Sequence, residues 1–198
     1  MKAVVYVHGR SGRADEARRY EPFFKDRDVI GFDYKSQTPW DAKDEFASFF
    51  GGLYKKYDSV TLIANSIGAF FSMSALSGHP IEKAFFISPV VDMEKLIRDI
   101  MAFSNVTEDE LREKREIPTS FGETLSWDYF SYVRENSIVW SVPTEILYGE
   151  KDNLVSYETV SAFAKKVGAG LTVMDGGEHW FHTDEQMAFL DNWLKNRI

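Results

Sequence analysis

The chain has 198 residues, enough to bury one sizeable core without covalent staples, so a single domain spanning 1–198 is expected. It contains no cysteine, which excludes disulfides, thiolate nucleophiles and cysteine-bound zinc; 44% hydrophobic against 27% charged residues excludes a disordered chain. The net charge of −8 works against a surface that tracks nucleic-acid phosphates, and no apolar run approaches bilayer length, so the expected location is the cytoplasm with neither nucleic acid nor membrane as partner.

Residues 2–8 (KAVVYVH) are too short for a signal-peptide core and run straight into Gly9, which reads as a strand. Further short apolar runs bounded by Gly, Asp or Asn follow at 28–34 (DVIGFDY), 59–64 (SVTLIA), 82–88 (EKAFFIS), 144–149 (TEILYG) and 171–175 (LTVMD). Between them, amphipathic stretches at 14–25, 40–57, 67–76, 156–167 and 184–196 predict helices. The last carries Phe189, Leu190 and Trp193 at core-facing spacing, with Thr183 placed to cap it. Strands that alternate with helices predict a parallel sheet covered on both faces.

One interval, about 92–142, breaks this rhythm. Met93, Leu96, Ile97, Ile100 and Met101 form a helical stripe, Thr107 and Glu110 have the spacing of a capping box, and an aromatic-rich segment follows Pro118. The whole interval is expected to be a helical, lid-like insertion, because a structureless segment of that length is improbable in a compact domain. Its Phe103, Phe121, Trp127, Tyr129, Phe130 and Tyr132 either line an apolar acyl pocket or pack the insertion itself.

The third strand ends in LIANSIGAF, residues 62–70. A nucleophilic serine must stand clear of its sheet on a tight turn, which only small residues two positions to either side allow, and Ala64 and Gly68 flank Ser66 in that way. The same residues also suit a serine that merely caps the following helix. A hydroxyl needs a base to take its proton and a carboxylate to orient that base. Of the four histidines, His79 precedes Pro80 in a polar turn, whereas His179 and His182 lie in GGEHWFH just after the last strand. The pair has neither HExxH spacing nor a third ligand nearby, so no metal is expected. Asp152, with Glu150 as its competitor, sits in the turn after the fifth strand (LYGEKDNLVS). All three groups therefore follow strands of one parallel sheet, at the edge where such residues converge.

Taken together, VYVHG, ANSIGA, YGEKDNLV and GGEHWF, in the order Ser, Asp, His, resemble the α/β-hydrolase family over most of the chain. The resemblance implies a three-layer α/β/α sandwich. Because VYVHG stands at the N-terminus, the family's first two strands are missing and six strands in the order 2-1-3-4-5-6 are expected. It implies Ser66 as nucleophile, His179 as general base and then acid, and Asp152 as the group that orients it. The backbone amides of Ile67 and Arg10 would form the oxyanion hole, with His8 and Gly9 shaping the loop and His8 structural. Trp180, beside His179, and Gly9 would border the bound substrate with Phe103, Trp127 and Phe130. The implied activity is hydrolysis of a small-molecule acyl substrate without a cofactor, by a monomer or homodimer.

Two other classes compete. Gly9-Arg10-Ser11-Gly12 after the first strand and Asp33 after the second imitate a dinucleotide-binding fingerprint, though the middle glycine is absent. A lyase or a pure binding protein on the same fold is the other, since fold does not fix function.

Overall fold

The computed structural model describes residues 1–120 and 122–198. In chain order its elements are β1 (Lys2–Val7), a 3-10 helix (Ala14–Phe23), β2 (Asp28–Phe32), α1 (Pro39–Leu53), β3 (Ser59–Asn65), α2 (Ile67–Ala75), β4 (Lys83–Ile87), α3 (Met93–Phe103), α4 (Glu108–Lys114), β5 (Glu116–Pro118), β6 (Thr124–Ser126), α5 (Trp127–Glu135), β7 (Thr144–Gly149), α6 (Tyr157–Val167), β8 (Gly170–Met174) and α7 (Asp184–Lys195). They fall into two compact units, one formed by Met1–Val91 with Val139–Ile198 and the other by Asp92–Ile138.

The first unit holds a six-stranded sheet in the order β2-β1-β3-β4-β7-β8, every neighbouring pair parallel. Counted within this sheet alone, that is the expected 2-1-3-4-5-6. The central strands are apolar throughout because helices cover both faces. On one face Val4, Tyr6, Ile63, Phe85, Ile87, Leu147 and Met174 pack against Ala17 and Tyr20 of the 3-10 helix and Leu190, Trp193 and Leu194 of α7. Across the sheet, an aromatic cluster joins Phe32 and Tyr34 to Phe46 and Phe50 of α1 and Phe71 of α2. The direction in which successive strands are added reverses between β1 and β3, and this switch point opens the crevice at the carboxyl ends of the strands.

Capping fixes where the helices begin. Thr38, Ser156 and Thr183 each accept a backbone N–H of the first turn of α1, α6 and α7, and α6 ends on Gly168 at φ 70°. The stretch expected as an α-helix over 14–25 is instead a 3-10 helix ending at Phe23. Pro22 lies inside it and cannot donate, and its first turn rests directly on β2. A Cβ on Gly31 would come within 1.8 Å of the Ala14 carbonyl oxygen, so only glycine admits that contact.

The second unit corrects the expectation of a wholly helical insertion. α3, α4 and α5 are present, but β5 and β6 form an antiparallel ribbon with Ile117 opposite Leu125. Pro118 bars helix continuation and Gly122, at φ 80°, supplies the left-handed geometry of the return. Phe130 of α5 is fully buried here, with the guanidinium groups of Arg98 and Arg134 against its ring at 4.8 and 5.2 Å.

Candidate active site

The turn from β3 into α2 places Ser66 at φ 51°, ψ −121°, a conformation that costs a non-glycine residue on the order of 1–3 kcal/mol. Its neighbours hold it there. The Ser66 N–H donates to the Ile87 carbonyl (3.0 Å), while the Ser66 carbonyl accepts the Val90 N–H (3.1 Å) and the Ala69 N–H (3.1 Å). Gly68 is required by close approach, since a Cβ there would lie 2.4 Å from the His8 carbonyl oxygen and 2.8 Å from that of Val7. Ala64 is fully buried between Val7 and Phe86, so the first small position of the turn serves the same close packing with a methyl group.

From this turn a hydrogen-bonded chain runs inward. Ser66 Oγ lies 2.9 Å from His179 Nε2, and His179 Nδ1 lies 2.7 Å from Asp152 Oδ2. The Asp152 side chain is wholly buried, and its other oxygen accepts the N–H groups of Leu154 (2.8 Å) and Val155 (3.0 Å). A carboxylate accepts only, so Nδ1 carries the proton and Nε2 presents its lone pair to the serine hydroxyl. That is the tautomer a general base needs.

Backbone packing explains why two loops 27 residues apart meet. A Cβ on Gly149 would fall 2.5 Å from the Gly177 carbonyl oxygen, and the Lys151 N–H donates to that same oxygen at 2.7 Å. Glu150, the competing acid, turns away and accepts the Gly176 N–H at 2.9 Å, a bond that holds its carboxyl below the usual range. His182 likewise stays out of the chain. Its Nδ1 meets the Trp180 carbonyl at 2.6 Å and its ring stacks on the Trp180 indole. Tyr148, between the sheet and the Asp152 loop, donates to the Val155 carbonyl (2.8 Å). Burial first and the Asp152 charge second push its phenol up to about 12.

The loop after β1 lies alongside. A Cβ on Gly9 would sit 3.1 Å from Ser66 Cβ, so this loop abuts the serine turn, and Arg10 is the next residue along it. His8 is buried, stacks on Tyr34 at 4.4 Å and donates from Nδ1 to the Gly9 carbonyl. Tyr34 in turn donates to the His8 carbonyl at 2.9 Å. This loop offers little to a dinucleotide. The helix after it opens on Asp15 and Glu16, with the Glu16 carboxylate already accepting the Arg13 N–H, and Asp33 is paired with Lys35 at 2.7 Å.

Of the residues expected around the substrate, Gly9 and Trp180 adjoin the chain of hydrogen bonds, and Trp180 is 70% exposed one residue past His179. Phe103, Trp127 and Phe130 belong to the second unit. Phe130 is corrected from lining to core, because its position on α5 turns it into that unit's interior, where the Trp127 ring meets it edge-on. Phe103 is 72% exposed at the end of α3, and Phe121 lies outside the described residues. Missed altogether were Tyr6, Glu16 and Tyr34, which brace the loop after β1. The only sequence signal for them was the Arg13-x-x-Glu16 spacing at a helix start.

Among the described residues no group of three His, Cys, Asp or Glu side chains could hold a metal ion, and no helix is long and apolar enough to cross a membrane. No protein-family profile and no curated protein matches the sequence. Solved structures do. Est1E from Butyrivibrio proteoclasticus superposes with a TM-score of 0.77 at 17% identity, over 98% of this chain and 85% of that one. The chain has the α/β-hydrolase fold. Mouse alpha/beta hydrolase domain-containing protein 10 gives a TM-score of 0.76 at 16% identity, covering 98% of this chain and 88% of that one. A lipase-esterase related protein from Clostridium acetobutylicum gives 0.67 at 19% identity, covering 100% and 94%. Within the α/β-hydrolase fold, Ser66, His179 and Asp152 stand on the loops that leave the carboxyl ends of β3, β8 and β7.

Proposed function

We propose that the protein is a serine hydrolase that cleaves an ester or related acyl bond of a small molecule through an acyl-enzyme on Ser66. The observation that carries this reading is the continuous chain Ser66–His179–Asp152 on a strained turn, with a buried carboxylate fixing the base's tautomer. The lipase-esterase related protein from Clostridium acetobutylicum supports an ester as substrate, and Est1E is described with ferulic acid bound.

In the proposed reaction His179 Nε2 takes the Ser66 proton as Oγ attacks the acyl carbon. The resulting oxyanion accepts the Ile67 and Arg10 amides, and collapse expels the alcohol, which takes the proton from His179. A water deprotonated by the same nitrogen then attacks the acyl-serine, and Ser66 leaves with the proton restored. Asp152 stays ionised throughout and stabilises the transient imidazolium. Trp180 borders the substrate on the His179 side and Gly9 on the Ser66 side. A lyase on the same three residues would also be labelled at Ser66, so product analysis separates the two.

The test uses purified protein with p-nitrophenyl acetate and butyrate and a fluorophosphonate probe. Release of p-nitrophenol and labelling at Ser66, both lost in Ser66→Ala, are expected; turnover by Ser66→Ala equal to wild type would sink the reading.

A further inference from the structure

Besides the residues of the proposed reaction, one polar chain, Tyr6–Glu16–Arg13, ties β1 to the far end of the loop that follows it. Tyr6, on β1, points to the face shared with the 3-10 helix and α7, and its hydroxyl donates to Glu16 Oε2 at 2.6 Å. β1 lies directly beside β3, with Tyr6 opposite Ile63 and Val7 opposite Ala64, two positions before Ser66. The other Glu16 oxygen accepts the Arg13 N–H at 3.0 Å. Between them the loop is closed by the Gly12 N–H on the Gly9 carbonyl at 3.1 Å, and a Cβ on Gly12 would come within 3.3 Å of Glu16 Oε2. The carboxylate thus lies against Gly12 and Arg13, the far end of the loop that carries the Arg10 amide.

A phenol buried on the apolar face of a sheet is costly unless its hydroxyl finds a partner, which the exposed Glu16 supplies. Tyr6 is 3% exposed, and phenylalanine would fill the same volume with no polar atom to satisfy. Its hydroxyl makes sense if the link itself matters.

We infer that Tyr6 and Glu16 are positioning residues that fix the loop of residues 9–13, and with it the Arg10 amide, in register with the Asn65-Ser66 turn. The two proposed oxyanion donors come from different elements, Ile67 from α2 and Arg10 from the loop after β1. Among the described hydrogen bonds, Tyr6–Glu16–Arg13 is the side-chain link from β1, the neighbour of the strand that carries the nucleophile, to the far end of that loop. The inference rests on the serine-hydrolase reading, since an oxyanion hole has no meaning without an acyl transition state.

The experiment compares Tyr6→Phe and Glu16→Gln with Tyr20→Phe, which alters a ring 5.3 Å from Tyr6 in the same cluster but outside the chain. Each is assayed on p-nitrophenyl acetate and on the matching thionoester, whose sulfur is a poor acceptor for oxyanion-hole amides. Positioning predicts kcat on the oxygen ester about tenfold lower in Tyr6→Phe and Glu16→Gln, with KM within twofold of wild type. A misplaced donor loses part of the ~10²-fold that a missing one costs. It also predicts a reduced preference for oxygen ester over thionoester, with Tyr20→Phe unchanged in both. If Tyr6→Phe and Glu16→Gln lower only the melting temperature, with kcat within twofold and the preference intact, the link is structural and the inference is overturned. Absence of wild-type turnover and of Ser66 labelling is a different result, which strikes the serine-hydrolase reading itself.

Discussion

Replacing Gly68 by alanine tests whether the serine turn depends on contact between α2 and β1. The added Cβ would lie 2.4 Å from the His8 carbonyl oxygen, about 0.9 Å short of the ~3.3 Å at which carbon rests on a carbonyl oxygen. The second obstacle, the Val7 carbonyl at 2.8 Å, blocks escape along β1; Val7 is held in the sheet and the His8 carbonyl by the Tyr34 hydroxyl. The start of α2 must therefore lift by most of an ångström. Overpacking of this kind costs about 2–3 kcal/mol, which for a domain of this size lowers Tm by roughly 4–12 °C. The activity loss should be larger in proportion. Lifting α2 moves Ser66 Oγ and the Ile67 amide together away from His179, and a displacement near 1 Å costs on the order of 10²-fold in rate. Circular-dichroism melts and p-nitrophenyl acetate kinetics measure the two effects. An alanine variant with wild-type Tm and wild-type kcat would refute the argument that this glycine is demanded by close approach.

Asp152→Asn should fold, because its side-chain oxygen can still accept the Leu154 and Val155 N–H groups, yet kcat should fall by roughly 10⁴ as His179 loses its tautomer; steady-state kinetics beside a thermal melt measures this, and a loss of less than tenfold would break the assignment. Alkaline titration followed at 295 nm should show tyrosines ionising late and together with unfolding. Burial raises Tyr54 and Tyr148 from 10.0 to about 12, so the stability they give is complete below pH 10 and is lost as pH climbs through about 12. A single step near pH 10 for all nine tyrosines with the fold intact would contradict this.

The sheet was legible because its central strands are buried on both faces and so read as apolar runs, and the strand order followed from the resemblance. Ser66, Asp152 and His179 were legible for a related reason: each stands in a turn at a strand's carboxyl end, among small residues that backbone packing demands. The 3-10 helix was not, since its amphipathic spacing resembles that of an α-helix and only its contact with Gly31 reveals the tighter winding. The β5-β6 ribbon escaped because two three-residue strands are too short to show alternation. Phe130 was misread because spacing tells which residues share a helix face, not whether that face meets solvent or a neighbouring helix. The Tyr6–Glu16 link joins residues ten apart on different elements, a pairing that no periodicity encodes.

The separation of Ser66 from His179 by 113 positions has a consequence for synthesis. As the chain leaves the ribosome, β1, β3 and α2 emerge long before β8, so the serine turn can form while its base does not yet exist. If Ser66 is the nucleophile proposed above, its hydroxyl is then no more nucleophilic than any other serine, and the nascent chain is protected from premature acylation. On the serine-hydrolase reading, reactivity waits for the contact of Gly177 with Gly149 that sets His179 between Asp152 and Ser66.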